Sequence, residues 1–313
     1  VQAVRGVSWD IYPGEFVGVV GESGSGKSVS MASVMGLVPS PPGTVSADSI
    51  IFEGRDLLTL PEKQLRRIRG KDITMIFQDP MTSFNPVRTI GRQIAEAILV
   101  HDTTATRKAA KARAIELMSL VGVPSPNVRY SQFPHEYSGG MRQRAMIAMA
   151  IANRPKLVIA DEPTTALDVT IQAQILDVLR VIQEETDAAT ILITHDLALI
   201  AEVTDRVLVM YAGKVIESGN VFELFADPRH PYTIGLLGSL PRLDEIREEK
   251  LTSIEGLPPD LIDLPSGCPF EARCVYALEK CRAERPELEP VGPRHRIACW
   301  VDVTETTKAQ EAD

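Results

Sequence analysis

The sequence predicts an α/β fold: a largely parallel sheet carrying a phosphate-binding loop, a helical insertion, and a small irregular cysteine-rich extension at the C-terminal end. Three observations carry this expectation. Gly21-Glu22-Ser23-Gly24-Ser25-Gly26-Lys27-Ser28 has the spacing G-x-x-x-x-G-K-S, with an apolar run before it (Phe16 to Val20) and a helix-compatible run after it (Val29 to Leu37). Strand, glycine loop and helix in that order form the context of a P-loop. Short apolar runs recur elsewhere, alternating with helical patterns, as strands buried on both faces of a parallel sheet require. From about Asp79 to Asn153 that alternation stops and helical periodicity takes over.

The loop comes first because its chemistry is the most specific. Glycines let consecutive backbone N–H groups turn inward, and the following helix adds partial positive charge at its N-terminus. Gly21, Ser23, Gly24, Ser25, Gly26 and Val29 are therefore candidate phosphate-binding positions. Lys27 reaches the outer phosphates, and the Ser28 hydroxyl is placed to ligate Mg²⁺. The alternative, a chance glycine turn, does not account for the flanking strand and helix. The expected ligand is a nucleoside triphosphate.

Bulk properties narrow the class. A chain of 313 residues holds about two domains. Its net charge of −9 argues against nucleic acid as a main partner, because phosphate backbones select basic surfaces. No apolar run approaches the ~20 residues that span a bilayer. No signal peptide is visible, so a cytosolic setting and reduced cysteines are expected. The chain opens at Val1 without Met, and an upstream strand is expected before it.

In order along the chain, Val1 to Ile11 reads as strand material and Pro13-Gly14 as a turn. Ile50 to Glu53 and Ile73 to Phe77 read as strands, separated by a basic stretch (Arg66, Arg67, Arg69, Lys71) best taken as a solvated face. Asp79 to Pro86 reads as a loop, followed by helices over Ile90 to Val100, Ala105 to Val121 and Met141 to Ala152. Strands resume at Leu157 to Ala160, Thr190 to Thr194, Arg206 to Tyr211 and Lys214 to Glu217, with helices over Val169 to Glu185 and from Leu197. Beyond Asp227 the chain is Pro-rich and irregular, and Thr304 to Asp313 is polar enough to expect disorder.

Ligands of open parallel sheets sit beyond the carboxyl ends of the strands, and four strand ends here carry suitable residues. Besides the glycine loop these are Gln78, Asp161-Glu162 and His195. Asp161 suits Mg²⁺ coordination through water, and Gln78 suits contact with both metal and water. Glu162 suits polarisation of the attacking water, a role worth ~10²–10⁴-fold. His195 suits a hydrogen bond to the γ-phosphate; taken alone it reads as structural. Tyr137-Ser138-Gly139-Gly140-Met141 opens another helix, either as an anion-attracting N-terminus or as an ordinary serine-capped start.

The P-loop, Gln78, Ser138-Gly139-Gly140, Asp161-Glu162, Ala166-Leu167-Asp168 and His195 follow the order of an ABC-type ATPase. They resemble its Walker A, Q-loop, signature, Walker B, D-loop and switch histidine. Tyr137 and Met141 depart from the usual L-S-G-G-Q at its ends, with the centre intact. The resemblance implies a RecA-like ATP-binding core over 1–78 and 154–226, a helical signature subdomain over 79–153, and an extension over 227–303 ahead of the 304–313 tail. It also implies ATP and Mg²⁺, and a second ATPase packed head to tail, so that Ser138, Gly139 and Gly140 meet the partner's nucleotide; Asp168 is a further nucleotide-binding position. An aromatic residue that stacks on adenine is implied upstream of Val1.

Phe77 to Pro86, Ala160 to Thr170 (A-D-E-P-T-T-A-L-D-V-T) and Arg229-His230-Pro231-Tyr232-Thr233 resemble the dipeptide/oligopeptide importers. That resemblance implies a peripheral subunit at the cytoplasmic face of a bacterial membrane. Its implied partners are a second, similar ATPase, two permeases (with 79–86 as their candidate contact) and an extracytoplasmic solute-binding protein. Cargo stays open among dipeptides, longer peptides, nickel chelates and glutathione. A soluble ABC ATPase of DNA repair or translation is the rival, disfavoured by the acidic balance and the lack of coiled coils. Cys268, Cys274, Cys281 and Cys299 are spaced x5, x6 and x17, without the C-x-x-C of a zinc ribbon. Four thiolates suit a [4Fe–4S] cluster, as the tail's resemblance to that family also implies; zinc, free thiols or disulfides are the alternatives. His295, near Cys299, reads as structural.

Overall fold

The structure is a computed structural model that describes residues 1–165, 168–239 and 254–303. Ala166, Leu167 and the expected tail 304–313 lie outside the described residues. In chain order the first elements are β1 (Phe16–Val20), α1 (Lys27–Val34), β2 (Ile51–Phe52), β3 (Arg55–Asp56), α2 (Glu62–Ile68), β4 (Ile73–Ile76), α3 (Pro80–Ser83), α4 (Ile90–His101), α5 (Arg107–Leu120), α6 (Pro126–Arg129) and α7 (Gly139–Ala150). They continue with β5 (Leu157–Asp161), α8 (Val169–Thr186), β6 (Ala189–Thr194), α9 (Leu197–Val203), β7 (Arg206–Tyr211), β8 (Lys214–Asn220), α10 (Val221–Ala226), α11 (Pro231–Gly238), α12 (Glu279–Ala283), β9 (Glu289–Pro290) and β10 (Arg296–Ile297).

Packing divides the chain into two units. One comprises Ile11–Phe16 and Met31–Ile193. Its strands β4, β5 and β6 are parallel, with Ile73 opposite Leu157 and Leu157 opposite Ala189. Val158, Ile159 and Ala160 are fully buried, which explains why this strand is continuously apolar. Helix α8 buries Ile175, Leu176, Leu179 and Ile182, a stripe at helical spacing. Helices α4, α5 and α7 pack on one another, and Ile90, Ile94, Ala114, Leu117, Met118 and Met146 on them are buried. Each such Ile or Leu contributes about 1.5–3 kcal/mol by leaving water.

The other unit comprises Val1–Asp10, Val17–Ser30 and the described part of Thr194–Asp313. Here β1 runs parallel to β7, β7 and β8 form an antiparallel pair bulged between Val209 and Met210, and β10 joins β8 antiparallel. Among its described residues the cysteine-rich extension is irregular for the most part, yet it sends a short strand into the sheet. Its anchor is Glu217 on β8, fully buried, whose carboxylate accepts from the backbone N–H groups of Arg229 (2.7 Å) and His230 (3.0 Å) and contacts His295 Nε2 at 2.7 Å. Burial pushes His230 down to about 4, so it is neutral.

Three local expectations need correction. Val1 to Ile11 forms no strand: Arg5 N–H donates to Gly213 O, but no ladder develops among the described residues. Ile50 to Glu53 shrinks to the two-residue β2, paired with β3 in a separate small ribbon. The 79–86 loop contains the helical turn α3, held where Ser83 Oγ donates to Asp79 O (2.8 Å) and Gln93 bridges Asn85 and Arg88.

Candidate functional site

The phosphate loop leaves β1 and ends in α1. Gly26 has φ +99°, and a Cβ there would lie 2.4 Å from Ala3 O; at Gly21 (φ +151°) it would lie 2.2 Å from Met210 O. Only glycine fits either place. The loop is also tied within itself, where Ser25 N–H donates to Glu22 O, and to the turn between β7 and β8, where Gly213 N–H donates to Ser25 O. Lys27 is buried, and its ammonium donates to Gly21 O (2.7 Å) and Glu22 O (2.9 Å). Ser23, Gly24 and Val29 are exposed, and Ser28 is half-buried.

Glu22 is fixed by residues that the sequence did not single out for this role. Its N–H donates to the Tyr232 hydroxyl at 2.8 Å, and its carboxylate receives both ends of the Arg273 guanidinium, at 2.7 and 2.8 Å. Tyr232 is fully buried against Tyr211 and Phe270, and burial raises its phenol above the ordinary value. The signal for Tyr232 was present in the Arg229–Thr233 motif; nothing local marks Arg273.

His195 follows β6 and is exposed; its neighbour Asp196 caps α9, accepting from Ala198 N–H at 2.8 Å.

In the other unit Gln78 and Glu162 are brought together: Gln78 Nε2 donates to Glu162 Oε2 at 2.9 Å, and Thr165 Oγ1 donates to the same oxygen at 2.9 Å. Glu162 adopts φ +46°, a left-handed conformation costly for a residue with a Cβ, and its N–H is held by Ile193 O. Strain of that kind persists only where the surrounding structure fixes the residue. Asp161, the last residue of β5, is 7% exposed. Asp168 caps α8, its carboxylate accepting from Ile171 N–H at 3.0 Å. Ser138 caps α7 by accepting from Met141 N–H at 3.3 Å, and Ser138 and Gly139 are both exposed. Tyr137 beneath them is buried, its hydroxyl donating to Arg129 O, and burial pushes its phenol up to about 12.

Cys268, Cys274, Cys281 and Cys299 line one small pocket with Phe270, Trp300 and Pro286. Among the described residues no group of three His, Cys, Asp or Glu side chains stands close enough to hold a metal ion. The four thiols share a pocket without being drawn to ligand distance. Burial pushes Cys274 and Cys299 up to about 11 and also raises Cys268, and the proximity of the other thiols adds to each shift. Backbone N–H groups of Phe270 and Glu271, Tyr276 and Val301 act the other way on Cys268, Cys274 and Cys299. Four sulfurs are the donor type of an iron–sulfur or zinc site, but His230 and Glu271 line the same pocket, and this arrangement of the side chains does not itself form a metal site.

No helix among the described residues is long and apolar enough to cross a membrane. A family model for the ABC transporter matches residues 4–165, and one for the oligopeptide/dipeptide transporter C-terminal region matches residues 216–281. The oligopeptide transport ATP-binding protein OppD of Bacillus subtilis (strain 168) is 53% identical over 96% of this chain and 84% of its own length. The dipeptide transport ATP-binding protein DppD of Haemophilus influenzae is 52% identical over 97% of this chain and 91% of its own length. Among solved structures, a dimeric post-hydrolysis state of the ATP-binding cassette MJ0796, bound to ADP and Pi, superposes with TM-score 0.63 at 26% identity, covering 70% of this chain and 90% of that one. Glycine loop, strand-end carboxylates, serine-glycine helix start and cysteine-bearing extension thus have one common explanation: the chain belongs to the ATP-binding proteins of oligopeptide and dipeptide ABC transporters.

Proposed function

We propose that the chain is the ATP-hydrolysing subunit of a bacterial peptide importer, with Glu162 polarising the water that attacks the γ-phosphate. The observation that carries the role of Glu162 is its strained, doubly hydrogen-bonded setting: φ +46°, with Gln78 and Thr165 on one carboxylate oxygen. An oriented carboxylate at a strand end accepts a proton from water without first having to be ordered. Gly21, Ser23, Gly24, Ser25, Gly26 and Val29 belong to the loop that cradles the phosphates, and Lys27 brings its charge to them. Ser28, Gln78 and Asp161 are the proposed Mg²⁺ ligands, and His195 the donor to the γ-phosphate. Bound Mg²⁺ offsets charge on the phosphate oxygens.

The division into a core (1–78, 154–226), a helical subdomain (79–153) and an extension (227–303) belongs to this reading. So does a head-to-tail pair in which Ser138, Gly139, Gly140 and Asp168 meet the nucleotide of a second, homologous ATPase. The exposed serine cap of α7 supports it, since an N-terminus left open to solvent is available to phosphate oxygens. Two permeases above the 79–86 turn and an extracytoplasmic peptide-binding protein complete the assembly, with this chain peripheral at the cytoplasmic face of the membrane. Phe77, exposed beside that turn, supplies apolar surface for such a contact. The cysteine pocket is read as a [4Fe–4S] site, with zinc the second possibility; the cluster, when bound, supplies the positive iron that the four sulfurs lack.

The test is Glu162→Gln. ATP binding persists and turnover falls by ~10²–10⁴-fold. Near-normal turnover removes Glu162 from the role.

A further inference from the structure

Glu22 places a carboxylate on the phosphate loop itself, where a bound triphosphate brings several negative charges. Left alone, that carboxylate would oppose the ligand. It is not left alone. Arg273 Nη1 donates to Glu22 Oε2 at 2.7 Å and Nη2 to Oε1 at 2.8 Å, the two-pronged geometry that a guanidinium makes best. The remaining nitrogen, Nε, donates to Glu255 O at 3.0 Å, and Nη1 also reaches the Tyr211 hydroxyl at 3.2 Å. The guanidinium lies 5.9 Å from the ring centres of both Tyr211 and Phe270, and its side chain is only 5% exposed. This is a built position, unlike a surface ion pair.

The contact spans the whole chain. Arg273 closes the short helical turn Glu271–Arg273, between Cys268 and Cys274, inside the region matched to the transporter C-terminal family. The peptide of Glu22 is held separately, by the Tyr232 hydroxyl on its N–H and by Lys27 on its carbonyl. Loss of Arg273 therefore leaves the loop's backbone in place and changes chiefly its charge.

We infer that Arg273 is a positioning residue for ATP: it neutralises and orients Glu22, so that the cysteine-bearing turn of the extension sets the affinity of the phosphate loop. The inference rests on reading Gly21–Ser28 as the ATP loop, and its test separates the two. Binding of a fluorescent ATP analogue with Mg²⁺ is measured on the full chain and on Arg273→Gln, Glu22→Gln and the double variant. Arg273→Gln binds roughly tenfold more weakly at low salt, and the deficit shrinks as salt rises. The double variant returns to within about threefold of the unmutated chain, because the opposing carboxylate has gone. A merely structural role predicts the reverse, since removing a second partner repairs no lost fold. Arg273→Gln binding like the unmutated chain, or a double variant as weak as the single one, overturns the inference. Should Arg273→Gln fail to fold, Glu22→Gln decides: it binds ATP at least as tightly as the unmutated chain, and a tenfold loss overturns the inference. Failure of the unmutated chain to bind the analogue instead rejects the ATP-loop reading.

Discussion

Glu217→Ala tests how the cysteine-bearing extension is held to the ATP-binding unit. The carboxylate is fully buried and satisfies two backbone N–H groups and an imidazole, at 2.7, 3.0 and 2.7 Å. Truncation strips the acceptor from all three, and each buried donor left unsatisfied costs about 1–3 kcal/mol. One of the three, Arg229 N–H, is only partly buried and regains some solvation. The expected loss is therefore about 3–6 kcal/mol, a large share of the roughly 5–15 kcal/mol that holds a typical domain folded. Glu217→Gln keeps the shape and one acceptor oxygen but turns an amide NH₂ toward a backbone donor, so it loses about 2–3 kcal/mol. Urea unfolding measures both. Trp300, with Lys280 Nζ 3.6 Å from its ring centre, reports the extension directly once Trp9 is replaced by Phe. The Ala variant should release Trp300 at lower urea than the Gln variant. An Ala variant within about 1 kcal/mol of the unmutated chain refutes the reasoning.

Other outcomes follow from the same geometry. His230, held down to about 4 from an ordinary 6.5, binds a proton more readily unfolded than folded. Stability is therefore full above 6.5 and falls as pH drops toward 4, by about 3 kcal/mol from this residue. His230→Asn keeps a helix-capping acceptor but does not titrate, so its urea midpoint relative to the unmutated chain should rise on acidification; parallel pH profiles contradict the assignment. Thr165→Val removes a hydrogen bond on Glu162 Oε2, and should lower turnover roughly tenfold with ATP affinity unchanged; a pure affinity loss argues against a positioning role. Anaerobic purification should yield about four iron and four sulfide per chain. One zinc, or no metal, contradicts the cluster.

Much of the core was legible because its signals are local. Phe16 to Val20 is apolar throughout and forms β1 with those bounds, and the loop residues follow in one unbroken stretch. Asp161-Glu162 could be placed at a strand end for the same reason. What escaped depends on distance. Glu22 and Arg273 are 251 residues apart, and nothing near Arg273 foretells its partner. Glu217 read as the polar end of a strand, but β8 continues through it to Asn220. Its charge is accommodated by partners 13 and 78 residues away. The positive φ of Glu162 was invisible too, because a non-glycine residue there is held by Ile193 O, not by its own sequence. Val1 to Ile11 shows the opposite error: strand-like composition without a neighbouring strand to complete a ladder.

The central claim is that two such subunits share each ATP, one giving the glycine loop and the other its serine-glycine helix start. The most direct measurement is a structure of the assembled transporter carrying Glu162→Gln and saturated with Mg²⁺-ATP. The account predicts Ser138 Oγ and the Gly140 N–H within hydrogen-bonding distance of a γ-phosphate bound on the neighbouring subunit's loop. A nucleotide held by one subunit alone, with the start of α7 facing water, contradicts it.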